Sequence, residues 1–164
     1  MKTITSIYLL CFLAISCQSQ ETKTTNHKTL KSENMDYKIN KTEDQWKNEL
    51  SSEQFNILRK KGTEYPGTGE YYMHFEKGIY VCAACKTPLF SSENKFESHC
   101  GWPSFDDAIP GKVKYVRDNS LGMIRIEIIC ANCGGHLGHV FDDGPKETTG
   151  QRYCVNSLSL QFVK

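Results

Sequence analysis

The chain has 164 residues, 20 Lys+Arg against 19 Asp+Glu for a formal net charge of +1, and 38% hydrophobic residues. This is one ordinary domain's worth of material, and with no basic run and interleaved charges it excludes a protein that binds by neutralising nucleic-acid phosphates. Beyond the first sixteen residues no apolar run approaches the roughly 20 residues that span a bilayer, which excludes a polytopic membrane protein. Eight cysteines beside 12 Gly and 5 Pro demand disulfides, metal or redox chemistry.

Lys2 precedes a mostly apolar run, Thr3 to Ser16, that reads as the n- and h-regions of an export signal over residues 1–16. The run ends in Leu13-Ala14-Ile15-Ser16-Cys17, which resembles a bacterial lipoprotein signal with Cys17 as the lipidated first mature residue. An ordinary cleaved signal is the alternative. The resemblance implies an exported, membrane-anchored protein facing the periplasm or the cell surface. Residues 17–41 are rich in Thr, Lys, Glu, Asn and Ser, with too few apolar side chains to offset the entropy of ordering. They read as a flexible tether, with a reach of roughly 25–30 Å for about 24 residues.

The folded part, 42–164, opens with two capping boxes, Thr42-Glu43-Asp44-Gln45 and Ser51-Ser52-Glu53-Gln54, each starting a short helix. The second carries Phe55 and Leu58 on one face and is expected to stop at Gly62. Strands are expected at Gly78–Cys82, Lys112–Arg117, Met123–Ile129 and Ser157–Val163, with a hairpin connection over Asp118-Asn119-Ser120-Leu121-Gly122. The plan is mainly β, mostly antiparallel, with short N-terminal helices.

Cys82-Ala83-Ala84-Cys85 and Cys130-Ala131-Asn132-Cys133 each follow an expected strand. Two residues between sulfurs let both reach one ion at about 2.3 Å, so four thiolates in two knuckles fit a closed tetrahedral zinc site, one per chain and structural in role. The 44 residues between Cys85 and Cys130 mean that it would join distant parts of the sheet. A pair of disulfides is the alternative, since exported chains meet oxidising conditions.

Cys100 and Cys154 remain. In extended backbone residues two apart share a side, so Arg152, Cys154 and Asn156 would share one face, and a cation beside a thiol raises its thiolate fraction. Cys154 is the candidate nucleophile. Cys100, in Ser98-His99-Cys100-Gly101-Trp102-Pro103-Ser104-Phe105, is a thiol able to resolve a sulfenic acid, and His136, His139 and Asp143 lie between the two cysteines in the chain. A static Cys100–Cys154 disulfide and a second metal site at the histidines are the bland alternatives. Together these groups would supply a nucleophile, proton donors and a partner thiol.

Gly62-Thr63-Glu64, Pro66-Gly67-Thr68-Gly69-Glu70, Cys100-Gly101-Trp102-Pro103-Ser104-Phe105, His136-Leu137-Gly138-His139-Val140-Phe141 and Arg152-Tyr153-Cys154-Val155-Asn156-Ser157, interleaved with the two Cys-x-x-Cys pairs, resemble the peptide methionine-R-sulfoxide reductases. The resemblance runs from about Thr42 to Lys164. It implies a β-tent-like pair of antiparallel sheets, a structural zinc on Cys82, Cys85, Cys130 and Cys133, and reduction of the R epimer of methionine sulfoxide in oxidised proteins by a monomer that a thioredoxin-like reductant recycles. It further implies Cys154 as nucleophile, Cys100 as resolving thiol, Trp102 as the plate against the substrate methyl group, His136, His139, Asp143 and Asn156 around the sulfoxide oxygen, and Arg152 as an aid to substrate or thiolate. His99 departs from the pattern, standing where the family leads one to expect glycine. A non-catalytic zinc-knuckle binding module and a general thiol–disulfide oxidoreductase are the competing classes.

Overall fold

The structure, a computed structural model, describes residues 36–164. The export segment, Cys17 and the first part of the tether lie outside the described residues. The last six residues of the expected tether, 36–41, lie against the domain: the Ile39 N–H donates to the Asn132 carbonyl at 3.0 Å, Ile39 packs on the core, and Lys114 covers the Tyr37 ring.

Both capping boxes form. Thr42 caps α1 (Glu43–Glu49) and Ser51 caps α2 (Ser52–Lys60), each hydroxyl accepting from the N3 backbone while the N3 glutamine reaches back. Two orphan amides are satisfied at each start, which lets such short helices hold before packing buries Trp46, Ile57 and Leu58. The stop of α2 differs from expectation. Lys61, with φ of 57°, takes the left-handed position. Gly62 matters for space instead, because a Cβ there would meet the Asn56 side chain.

Nine strands follow in two antiparallel sheets. One has the order β2 (Pro88–Ser91), β1 (Ile79–Cys82), β9 (Leu160–Val163). The other has the order β3 (Lys95–Phe96), β4 (Ser104–Phe105), β8 (Arg152–Val155), β7 (His136–Phe141), β6 (Arg125–Cys130), β5 (Val113–Asp118). The mainly β plan with two sheets and two short helices is therefore the observed one, with more strands than the sequence pattern marks. Cys154 sits on a strand of its own, β8, and a 3-10 turn at Ser157–Ser159 separates it from the last strand, β9. The two sheets are joined by aromatic packing: Phe105 of β4 stacks on Phe90 of β2 at 4.4 Å and meets Tyr80 of β1 edge-on at 5.0 Å, all three fully buried. Among the described residues no helix is long and apolar enough to cross a membrane.

Candidate active site and metal centre

The four knuckle cysteines converge. Their sulfurs lie within 4.8 Å of one another, Cys82 to Cys133 at 3.8 Å and Cys85 to Cys130 at 3.5 Å. Sulfurs at the corners of a tetrahedron with bonds of about 2.3 Å lie about 3.8 Å apart, so the cluster has the dimensions of a tetrathiolate metal site. The two knuckles share one backbone form. Lys86 N–H bonds the Cys82 carbonyl and Gly134 N–H the Cys130 carbonyl, with Lys86 and Gly134 both left-handed at φ of 60° and 72°. Hydrogen bonding among the crowded sulfurs holds Cys85 and Cys130 below the ordinary thiol value and pushes Cys82 and Cys133 above it. The cluster ties the end of β1 to the end of β6, one strand from each sheet.

A second centre forms on the six-stranded sheet. Cys154 of β8 lies opposite His139 of β7 on one side and Ser104 of β4 on the other. A pocket of about 120 Å³ opens over it, lined by Thr63, Trp102, Arg125, His139, Phe141 and Asn156. Gly138 also lines it, and any Cβ there would collide with the Cys154 carbonyl, so β7 and β8 approach as they do only because this position is glycine. Cys100 Sγ stands 3.7 Å from Cys154 Sγ, behind the pocket wall, and is hydrogen-bonded by the Ser98 hydroxyl at 3.0 Å. All six described cysteines are free thiols. The hydrogen bond from Cys154, helped by Ser104 and Ser98 against burial, holds Cys100 down to about 4. The same bond and burial push Cys154 up, with Arg152 pulling the other way. The shared bond thus lowers Cys100 and raises Cys154. His99 adopts a left-handed φ of 57°, the conformation that explains a preference for glycine there.

The indole of Trp102 is fixed by Nε1–H donation to the Glu64 carbonyl at 3.2 Å. Glu64 is a hub that the sequence reading gave no role: its carboxylate accepts from Ser157 N–H at 2.6 Å and Leu158 N–H at 3.1 Å, and its own N–H donates to Asn156 Oδ1. Burial pushes the Glu64 carboxyl up against these bonds. Asn156 lines the pocket, yet its amide also ties Leu137, so it holds the loop of Glu64 to the sheet.

His136 and His139 lie ring to ring at 5.6 Å, but in different settings. His139 lines the pocket and its Nε2 bonds Asp118 Oδ2 at 2.8 Å. Burial pushes His139 down, Asp118 draws it back, and Arg125 and His136 oppose the cation. His136 is buried behind it, Nδ1 donating to Glu127 Oε1 at 2.8 Å. Glu127, its side chain 3% exposed, also receives Lys61 at 2.7 Å, and these bonds outweigh the upward push of burial to keep it ionised. Asp143 stands apart from the pocket: its side chain is 62% exposed, it is outside the pocket lining, and it grips Arg152 through two bonds of 2.8 Å. Arg152, stacked on Phe141 at 4.6 Å, likewise reaches the pocket only through its neighbours. Among the described residues the buried side-chain polar atoms without a partner are Arg125 Nε and His136 Nε2. Both belong to this cluster, the pattern of a site shaped for chemistry over stability.

The whole of residues 50–164 matches the SelR domain family. The chain is 59% identical over 128 residues to the peptide methionine sulfoxide reductase MsrB of Methanosarcina mazei, covering 77% of this chain and 91% of that one. It is 56% identical over 131 residues to MsrB of Leptospira interrogans, covering 79% and 99%, and 55% identical over 126 residues to MsrB of Agrobacterium fabrum, covering 76% and 93%. The family that the motifs resemble is thus the family that the comparisons return, and the chain belongs to the SelR domain family, that of the peptide methionine sulfoxide reductases MsrB.

Proposed function

We propose that this enzyme, by family a peptide methionine sulfoxide reductase, reduces the R epimer of methionine sulfoxide in oxidised proteins through Cys154 and Cys100. The observation that carries the reading is the pair of free sulfurs 3.7 Å apart, one on a pocket wall shared with an indole and an imidazole, the other behind it. The methyl group of the substrate lies on Trp102. Cys154 Sγ bonds to the sulfoxide sulfur while the thiol proton reaches the sulfoxide oxygen by way of His139. The S–O bond breaks, the protonated oxygen bonds to Cys154 Sγ as the transient Sγ–S bond breaks, methionine leaves as the thioether, and Cys154 becomes a sulfenic acid. Proton delivery of this kind contributes roughly 10² to 10⁴ in rate. The Cys100 thiolate then attacks Cys154 Sγ. An S–S bond forms as S–OH breaks, hydroxide takes a proton to leave as water, and the two sulfurs close by about 1.6 Å to reach bonding distance. A resolving thiol already ionised at rest suits this step. A thioredoxin-like dithiol reduces the disulfide and returns the enzyme, a monomer, to its start. His136, Asn156, Asp143 and Arg152 support the site at one remove, through Glu127, Glu64 and the Asp143–Arg152 pair.

The thiolate cluster is the place for one structural zinc, which when bound supplies a cross-link between β1 and β6 and no open coordination position. The competing thiol–disulfide oxidoreductase would need no pocket beside Cys154. The deciding assay incubates the chain and dithiothreitol with each epimer of a dabsylated methionine sulfoxide. Loss of the R epimer alone, abolished by Cys154→Ser, is the expected result, and consumption of neither epimer with reduction of insulin disulfides overturns it. Export and Cys17 lipidation, supported by the apolar run before Cys17, belong to the same proposal. Palmitate labelling lost in Cys17→Ser is expected, and an unlabelled wild-type chain refutes lipidation.

A further inference from the structure

Asp118, Arg125 and Glu127 are charged side chains on the catalytic sheet face to which the reaction described above gives no direct part. Register brings them there. Cys154 pairs with His139 and His139 with Glu127; one step along the strands, Arg152 pairs with Phe141 and Asp118 with Arg125. Residues paired across antiparallel strands share a face, and so do residues two apart on one strand. Each histidine thereby meets a carboxylate of its own, His136 at Glu127 and His139 at Asp118, both at 2.8 Å. Asp118 is itself held from two further directions. Its Oδ2 also accepts from Arg125 Nη2 at 2.8 Å, and its Oδ1 accepts from the Ser120 N–H at 2.9 Å. These bonds with Ser120 and His139 keep its carboxyl well below the usual carboxylate range, so it is an acceptor at any pH of interest.

An imidazole bonded through Nε2 to an ionised carboxylate carries its neutral-state proton on Nε2 and its lone pair on Nδ1. The nitrogen left for the pocket is then Nδ1, and it donates only from the doubly protonated ring. We propose that Asp118, clamped by Arg125, is the positioning residue of the reaction: it fixes the His139 proton on Nε2 and turns Nδ1 to the oxygen of the bound sulfoxide. The inference rests on His139 as the proton carrier of the proposed function. In the step, the Nδ1–H bond of the imidazolium breaks and its electron pair stays on Nδ1. The O–H bond forms on the departing oxygen, and Asp118 remains ionised throughout. The charged or titratable groups facing His139 are Asp118 from β5, Arg125 and Glu127 from β6, His136 from β7, and Cys154 from β8 with Cys100 behind it.

Asp118→Asn is the informative variant, because a carboxamide keeps the shape and lets its NH₂ donate to Nε2, which moves the ring proton to Nδ1. The measurement is a long-range ¹H–¹⁵N correlation of the imidazoles in the ¹⁵N-labelled full chain at about pH 8, where an ordinary histidine is neutral. Beside it run the single-turnover rate of methionine formation from an R-sulfoxide peptide and the steady-state kcat and KM. The expected result is a wild-type His139 protonated at Nε2 and bare at Nδ1. Asp118→Asn should move the proton to Nδ1 and lose about 10²-fold in single-turnover rate with KM within about twofold, the size of a lost general acid, because an Nδ1 that already holds the neutral-state proton cannot take up the thiol proton and no carboxylate supports the imidazolium. Arg125→Lys, which keeps the charge but not the reach of the planar guanidinium, should fall between, and Asp118→Glu should regain part of the rate. A wild-type His139 protonated at Nδ1, or an Asp118→Asn chain with the wild-type tautomer and rate, overturns the proposal. Should Asp118→Asn fail to fold, the wild-type tautomer and Arg125→Lys decide. A wild type that consumes no sulfoxide refutes the proposed activity and leaves the tautomer to judge the orientation.

Discussion

Replacing Cys154 by alanine removes the hydrogen-bond donor that does most to hold Cys100 down to about 4. With that value about 99% of Cys100 is thiolate at about pH 6, against about 0.3% for an ordinary thiol near 8.5, a gain of about 300-fold in reactive fraction. Intrinsic nucleophilicity falls with pKa, and at a Brønsted slope of about 0.45 the drop of about 4.5 units takes back about 10². The net advantage in alkylation rate is only about threefold, so the rate at one pH decides little and the pH midpoint decides the matter. The sign is set by the lowered value: the Cys100 thiolate is present above about 4 and disappears only as pH falls through it. The assay is iodoacetamide modification of the reduced chain, followed at the Cys100 peptide by mass spectrometry between about pH 4 and about pH 9. Wild type should show a Cys100 rate already flat by about pH 6, and Cys154→Ala should move its midpoint toward the ordinary thiol range. A wild-type Cys100 whose rate climbs only through about pH 8 to 9, or a midpoint indifferent to Cys154, would refute the shared-proton account of the pair.

Three further outcomes can be measured. Cys100→Ser should still yield about one methionine per enzyme in a single turnover yet stall with thioredoxin, because the sulfenic acid loses its resolving partner; undiminished multiple turnover would mean that another thiol resolves. Structural thiolate–zinc sites hold about 10–16 kcal/mol in small peptides, as much as the whole of about 5–15 kcal/mol that keeps a domain folded. Cys130→Ser, or a strong chelator, should therefore lower Tm by at least about 10 °C, since 1 kcal/mol is worth several degrees in a domain of this size, and an unchanged Tm would exclude a metal from the cluster. Phe105→Ala should cost about 3–5 kcal/mol in urea unfolding, as the ring is fully buried between Phe90 and Tyr80 and joins the two sheets; a loss under about 1 kcal/mol would mean that the sheets are held by something else.

What the amino-acid sequence determined by itself is what acts over a few residues. Thr42 and Ser51 cap their helices as their spacing to Gln45 and Gln54 requires, and each Cys-x-x-Cys pair makes a knuckle because the intervening turn is a local property. Cys100, Trp102 and Cys154 were legible as a site by residue type and by likeness to a family, and they do meet around one pocket edge. Tertiary structure alone decided the rest. The strands β3 and β4 are two residues each and exist only because partners distant in sequence complete their hydrogen bonds, so no periodicity could mark them. Asp143 looked like a site residue beside two histidines, while Asp118, twenty-one residues before His139, is the carboxylate that meets it. That exchange is a matter of sheet register: a strand sets which side each residue faces, but only pairing with β5, β6 and β8 sets which charge stands opposite. The Cys100–Cys154 contact has the same origin, two sulfurs brought within 3.7 Å from positions 54 residues apart.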